Sequence, residues 1–362
     1  MLKKNKQNIF KKQIIKIKMK SFKYISPENY ELTTSPIPKI ENDTDVIVKV
    51  TIASLCTSDI HIIKGKVPRA KEGTILGHEG VGIVIEIGKK IKKVKINDHV
   101  VINCISFCGE CYYCKHGYIN NCEKGGWEVG CRINGTLAEY VRIPYGDTSL
   151  NIIPNNLNDI DALLVGDVLS SGYFGCDLCE VKENDIVAII GAGPVGICSM
   201  LCCRMRKAKI IAIDIKDECL DFVKKNNLAD YLFNPNKVNI VNEILNITDN
   251  RGADCVIEDA GGDNTFEMAW KIARANAIVG LVGMYESNQV FPLPLMYGKN
   301  LIFKTGGVDA VHCDQLLKMI ELKLLNTNML ITHKMPFSQV KEAFELFRNK
   351  PEFCIKIAIM MD

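Results

Sequence analysis

No apolar segment of the kind a secretory leader requires follows the basic N-terminus, so no leader is expected. Residues 1–18 hold seven lysines, with neither an acid nor an arginine among them. Mitochondrial transit peptides are rich in Arg and Ser, so the expectation is instead a disordered extension, or a true start at Met19. Without those seven lysines the net charge of +3 becomes −4, which excludes a broad basic face for nucleic acid. Long apolar runs are scarce too. The uncharged stretch Ile186–Cys203 contains Gly191, Gly193, Pro194 and Gly196, which suit a strand, a turn and a helix and argue against a membrane span. Internal repeats are absent.

What is present is ordinary globular material: 362 residues, 47% apolar and 24% charged, enough for two domains. Sixteen cysteines without a leader point to a reducing compartment, read here as the cytoplasm, with thiols packed as small hydrophobes or bound to metal. The first ~170 residues alternate as strands do, at 45–50, 81–87 and 98–102. Near Asp167 the texture changes. Six apolar runs (186–190, 209–215, 230–233, 254–258, 277–283 and 301–305) are separated by stretches long enough for crossover helices, which predicts a doubly wound parallel sheet. A helix at 338–348 and a final strand at 354–360 close the pattern.

Gly191-Ala-Gly-Pro-Val-Gly196 is a G-x-G-x-x-G between such a strand and a helix, the context that gives the motif meaning. Gly191 permits a tight turn, Gly193 lets backbone approach a pyrophosphate, and Gly196 lets helix and strand pack closely. Pro194 and Val195 then open the helix whose N-terminal amides face the phosphates. Asp214 ends the next strand, where a carboxylate accepts the ribose hydroxyls of NAD and opposes the 2′-phosphate of NADP. The bland alternative is a tight turn followed by an Asp that caps a helix.

Cys108, Cys111, Cys114 and Cys122 form C-x2-C-x2-C-x7-C. Four thiolates so close can close a structural zinc site with no open position. The last gap and the Glu123 that follows depart from the ferredoxin pattern of C-x2-C-x2-C-x3-C-P. A second set is dispersed: Cys56 in Cys-Thr-Ser-Asp-Ile-His (56–61), His78 and Glu79 after Gly77, and Asp167. One Cys, one His and one carboxylate from separate segments can hold a catalytic zinc with a fourth position open, although from spacing alone a lone Cys is more often buried filler and a lone Asp more often a cap.

Together with Gly-Thr-Leu-Ala-Glu-Tyr-Val (135–141), these pieces resemble the zinc-dependent medium-chain alcohol dehydrogenases from about Met19 onward. The resemblance implies a GroES-like, mostly-β catalytic domain (19–171 and 311–362) with a Rossmann NAD-binding domain (172–310) inserted, an α/β protein preceded by a basic extension (1–18). It further implies that Cys56, His78 and Asp167 hold a catalytic zinc, that Glu79 can approach it, and that Asp59 orients His78. Ser58 would accept the alcohol proton and His61 would pass it to water through a cofactor ribose hydroxyl. Trp127 is either a wall of the substrate pocket or core, and the other cysteines, Cys104 among them, are expected to pack. The implied reaction is hydride transfer between a small, secondary alcohol and NAD rather than NADP, giving a ketone or aldehyde. Formaldehyde- or polyol-type chemistry is the alternative. The implied partners are the alcohol or carbonyl substrate and copies of the same chain, as a dimer or tetramer, with neither nucleic acid nor membrane.

Overall fold

The structure, a computed structural model, describes residues 18–350 and 353–362. Most of the basic extension therefore lies outside the described residues, and its expected boundary needs one correction. The strand Lys18–Ser26 already begins at Lys18 and pairs antiparallel with Asn29–Pro36. Its lysines at 18 and 20 point outward while Met19, Ser21 and Phe22 are buried, so the lysine-rich texture conceals an ordinary alternation.

Both flanks of the chain contribute to a seven-stranded mixed sheet. Val46–Ser54 lies at its centre, flanked by Glu79–Ile87 and by Lys356–Met360, which lies far along the chain. His99–Ile102 and Leu150–Ile152 extend one side, Ile331–Pro336 the other, and Tyr140–Ile143 also pairs with the central strand. Two flanks of the chain thus share one sheet.

Between those flanks lies a six-stranded sheet whose neighbouring strands are all parallel. In spatial order it runs Tyr231–Phe233, Lys209–Ile213, Ile186–Ile190, Ala253–Glu258, Ala273–Leu281 and Ile302–Thr305. Each coincides with one of the six apolar runs, and the order, third-second-first-fourth-fifth-sixth, is that of a dinucleotide-binding sheet. The pleat sends alternate residues to opposite faces. Val187 and Ile189 pack under the helix Pro194–Met205, whereas Ala188 and Ile190 pack with Ile244 of Ile240–Ile247 and Ala269 of Thr265–Ile272. Continuous apolar strands are required because both faces are covered.

The first of these cores continues into the other half, taking in Ile52, Val81 and Val101. At the junction, Val165–Leu169 makes a π-helical turn that runs directly into the helix Ser170–Leu178. Gly166 is needed there, because a Cβ would come within 2.1 Å of the Ile102 carbonyl oxygen. The uncharged stretch at 186–203 is strand, turn and helix, and no helix among the described residues is long and apolar enough to cross a membrane.

Candidate active site

Cys56 sits at the N-cap of the short helix Thr57–Ile63. Asp59, fully buried at the third helical position, accepts the Cys56 amide at 3.0 Å and the Gly77 amide at 3.1 Å. One carboxylate thereby ties the Cys56 turn to the segment that carries His78. Its own distance to His78 Nδ1 is 3.7 Å, too long for a hydrogen bond, so it holds the ring's place chiefly through the neighbouring backbone. Gly77 has φ +90°, and a Cβ would meet Thr136 Oγ1 and Leu137 Cγ at 2.7 Å. The Thr136 hydroxyl in turn donates to the Glu79 carbonyl at 2.8 Å, so the 135–141 motif serves as the wall against which His78 and Glu79 are set.

Asp167, from the π-helical turn, completes the group. Its Oδ2 lies 3.2 Å from His78 Nε2 and 3.6 Å from Cys56 Sγ. One donor atom from each of Cys56, His78, Glu79 and Asp167 falls within 4.8 Å of all the others. A tetrahedral zinc with bonds of about 2.0 Å to N and O and 2.3 Å to S has edges of about 3.3 and 3.5 Å, close to those two distances. His78 Nδ1 and Glu79 Oε2 are buried and have no hydrogen-bond partner. Crowding a thiol, an imidazole and two carboxylates out of water calls for a cation, and the donor set fits zinc.

Lys356 partly answers that charge. It is 1% exposed and donates to Glu79 Oε1 at 2.5 Å and to the Leu55 carbonyl at 2.7 Å. Burial pushes the Glu79 carboxyl up to about 7 against the opposing pull of Lys356. For Asp167 burial also opposes ionisation, but the hydrogen bond and charge of His78 win and hold it below the ordinary carboxylate range. Sequence reasoning missed Lys356; the available signal was a lone lysine opening an apolar strand. Cys104, expected only to pack, is buried, and burial, with the charge of Asp167, pushes its thiol well above the usual range.

Ser58 Oγ lies 3.5 Å from Cys56 Sγ, beside the cluster. The Trp127 ring stands edge-on to His78 with centroids 5.3 Å apart, while also packing against both large cores. It is therefore a core residue that also touches a member of the donor group. Arg69 lies over its outer face at 5.1 Å. His61 Nδ1 meets Glu286 Oε1 of the six-stranded half at 2.9 Å.

The four-cysteine lobe forms the second donor cluster. Its sulfurs lie 4.0 Å (Cys108–Cys114), 4.0 Å (Cys111–Cys122) and 3.5 Å (Cys122–Cys108) apart. The edge of a ZnS4 tetrahedron is about 3.8 Å for bonds of about 2.3 Å, so these residues too fit zinc. Backbone amides lower the Cys111 thiol to about 6. All sixteen cysteines are free of disulfides.

At the cradle, Gly191 has φ +104°, and a Cβ on Gly196 would lie 1.9 Å from the Gly191 carbonyl oxygen. A Cβ on Gly193 would instead point into open space, where a dinucleotide's pyrophosphate needs room. Pro194 occupies the first turn of the helix and Val195 is half-buried. Asp214 Oδ2 accepts the Ala192 amide at 2.7 Å, so the acid touches the Gly-rich turn directly.

A catalytic-type metal group, a thiolate lobe and a dinucleotide cradle on these two sheets define a zinc-binding, nucleotide-dependent oxidoreductase. Residues 42–154 match the alcohol dehydrogenase GroES-like domain and residues 194–312 the zinc-binding dehydrogenase domain. The chain belongs to the zinc-dependent medium-chain alcohol dehydrogenase family. It is 30% identical to an alcohol dehydrogenase of Cupriavidus necator over 94% of this chain and 98% of that one. The zinc-dependent alcohol dehydrogenase 2 from Streptococcus pneumonia superposes with a TM-score of 0.89 at 35% identity, over 95% of this chain and 99% of that one. The NADP-dependent isopropanol dehydrogenase of Thermoanaerobacter brockii is 28% identical over 88% and 93% of the two chains. The protein is accordingly a zinc alcohol oxidoreductase acting on a small alcohol or carbonyl compound.

Proposed function

We propose that the enzyme interconverts small secondary alcohols and ketones, with NAD as the preferred cofactor and two zinc ions per chain. The observation that carries this reading is the buried group of Cys56, His78, Glu79 and Asp167, with His78 Nε2 turned toward Asp167 and Glu79 Oε2 unpaired. Cys56, His78 and Asp167 would hold the catalytic ion, with Glu79 kept in reserve by Lys356, and the four-cysteine lobe would hold a structural one. When bound, the catalytic zinc acidifies the alcohol hydroxyl, and the nicotinamide exchanges the hydride.

The chain's own residues manage the proton. Ser58 and His61 are three apart on one short helix and so share a face. Ser58 accepts the hydroxyl proton beside the metal group, and His61, only partly exposed, releases it toward solvent. Trp127 bounds the pocket and limits the substituents on the carbinol carbon. The isopropanol activity named for the Thermoanaerobacter relative favours secondary alcohols, and a panel including formaldehyde and polyols tests that preference.

The catalytic unit is taken as 19–171 with 311–362, and the nucleotide unit as 172–310. In support, the helix Cys313–Glu321 packs on the π-helical turn and on Leu150–Ile152, whereas Ser170–Leu178 packs on Pro194–Met205. Free thiols throughout suit the cytoplasm.

Asp167→Asn is the direct test of the metal assignment. It keeps the side-chain volume and removes the anionic donor, so the gel-filtered variant should carry about one zinc where the wild type carries two, and lose dehydrogenase activity with an unchanged circular dichroism spectrum. Two ions and near-normal turnover in the variant would reject Asp167 as a ligand.

A further inference from the structure

We propose that Glu286 is a positioning residue for His61, fixing the tautomer and orientation of the ring for proton transfer; this rests on the relay role given to His61 above. Glu286 Oε1 lies 2.9 Å from His61 Nδ1 and 3.8 Å from Lys64 Nζ, one helical turn further on. An ionised carboxylate only accepts, so neutral His61 must carry its proton on Nδ1 and keep Nε2 as its one acceptor. A proton delivered to Nε2 gives an imidazolium flanked by the Glu286 carboxylate, and loss of the same proton to water restores the starting tautomer. Glu286 takes up no proton in this cycle, and no other reactant is needed. The logic is that of a carboxylate that orients a catalytic histidine without taking its proton.

The loop carrying Glu286 is held firmly in the nucleotide unit. Val282 and Gly283 amides both donate to the Glu258 carbonyl at 2.9 Å. Gly261, at φ +67°, could not bear a Cβ, which would come within 2.3 Å of the Met284 carbonyl oxygen. On either side of Glu286, Tyr285 Oη pairs with Thr265 Oγ1 at 3.3 Å, and the Ser287 hydroxyl donates to Asp263 at 3.0 Å. His61 belongs to the other unit. The contact therefore exists only while the two halves sit in this relation, and the proton outlet is set by the nucleotide unit's position.

Nitrogen-15 NMR of the histidine side chains in the full-length protein tests the idea, with His61→Asn identifying the His61 signals among the six histidines. The wild type should show His61 protonated on Nδ1. Glu286→Leu should move it to the Nε2-protonated tautomer and lower kcat about tenfold, with KM for the alcohol within about twofold. Glu286→Gln, whose amide oxygen still accepts from Nδ1, should keep the tautomer, lose part of kcat and guard against a folding defect in the Leu variant. An unchanged tautomer and kcat in Glu286→Leu overturn the proposal. Wild-type turnover in His61→Asn overturns the relay reading instead, and the tautomer shift still decides whether Glu286 positions the ring.

Discussion

Asp214 accepts two backbone amides, from Ala192 at 2.7 Å and Lys216 at 2.8 Å, so its carboxylate is fixed at the mouth of the Gly-rich turn before any nucleotide arrives. A 2′-phosphate there would meet a like charge that cannot swing away, and partly desolvated contact of that kind should cost about a hundredfold in affinity. Asp214→Ser should narrow the gap between the two cofactors while weakening NAD through lost ribose hydrogen bonds. Steady-state kcat/KM with NAD and NADP, for both proteins, decides it; equal efficiency in the wild type rejects the charge argument. At this scale the sequence was informative where a function depends on a local run. The Gly-rich turn, Cys56 to His61 and the cysteine lobe are each contiguous, so spacing alone exposes their chemistry. Lys356 is different: its partner Glu79 is 277 residues away, and nothing local marks a lysine as a buried counter-charge. Glu286 was hidden for the same reason, lying 225 residues from His61.

Among the elements, the cysteine lobe has the least to hold it. Between Cys108 and Cys122 there is one short helix, Tyr112–Lys115, and one helical turn, Ile119–Asn121. Tyr112 and Tyr118 are 61% and 58% exposed, so the lobe has almost no apolar core of its own. A segment like this would depend for its fold on the zinc proposed for it. Cys111→Ser should remove one zinc and open the lobe to limited proteolysis, with cleavage mapped by mass spectrometry to residues 108–122 and the catalytic ion retained. Resistance equal to the wild type's would mean that the lobe folds without metal. The six parallel strands were legible because burial on both faces demands unbroken apolar runs. The hairpin Lys18–Ser26 with Asn29–Pro36 was not, because outward lysines mask its alternation. The π-helical turn bearing Asp167 has no sequence signature beyond Gly166, whose need is visible only once the Ile102 carbonyl is beside it.

For the whole molecule, the most informative surface lies along the outer edge of the six-stranded sheet. Among the described residues no strand pairs with the outer edge of Ile302–Thr305, and Ile302 is half exposed. Close by in the chain, Val290, Leu293, Leu295 and Tyr297 are between 62% and 87% exposed. An open strand edge with apolar side chains about it invites a second copy, which supports a homo-oligomer. Val290→Asp with Leu295→Asp should convert a dimer or tetramer to monomer in sedimentation velocity, whereas a wild-type chain that sediments as a monomer at micromolar concentration would leave this surface to some other use.

The strand that carries Lys356 lies on the far side of the inserted nucleotide unit from the strands it joins. During synthesis, Val46–Ser54 and Glu79–Ile87 leave the ribosome long before Lys356–Met360 can slot in beside them. The parallel sheet, whose strands all fall within residues 186–305, has all six strands in hand in that interval. Cys56, His78, Glu79 and Asp167 must meanwhile wait with one flank of their sheet open and Glu79 lacking its cation. The order of the chain thus leaves the donor group without its buried cation until the last strand is made.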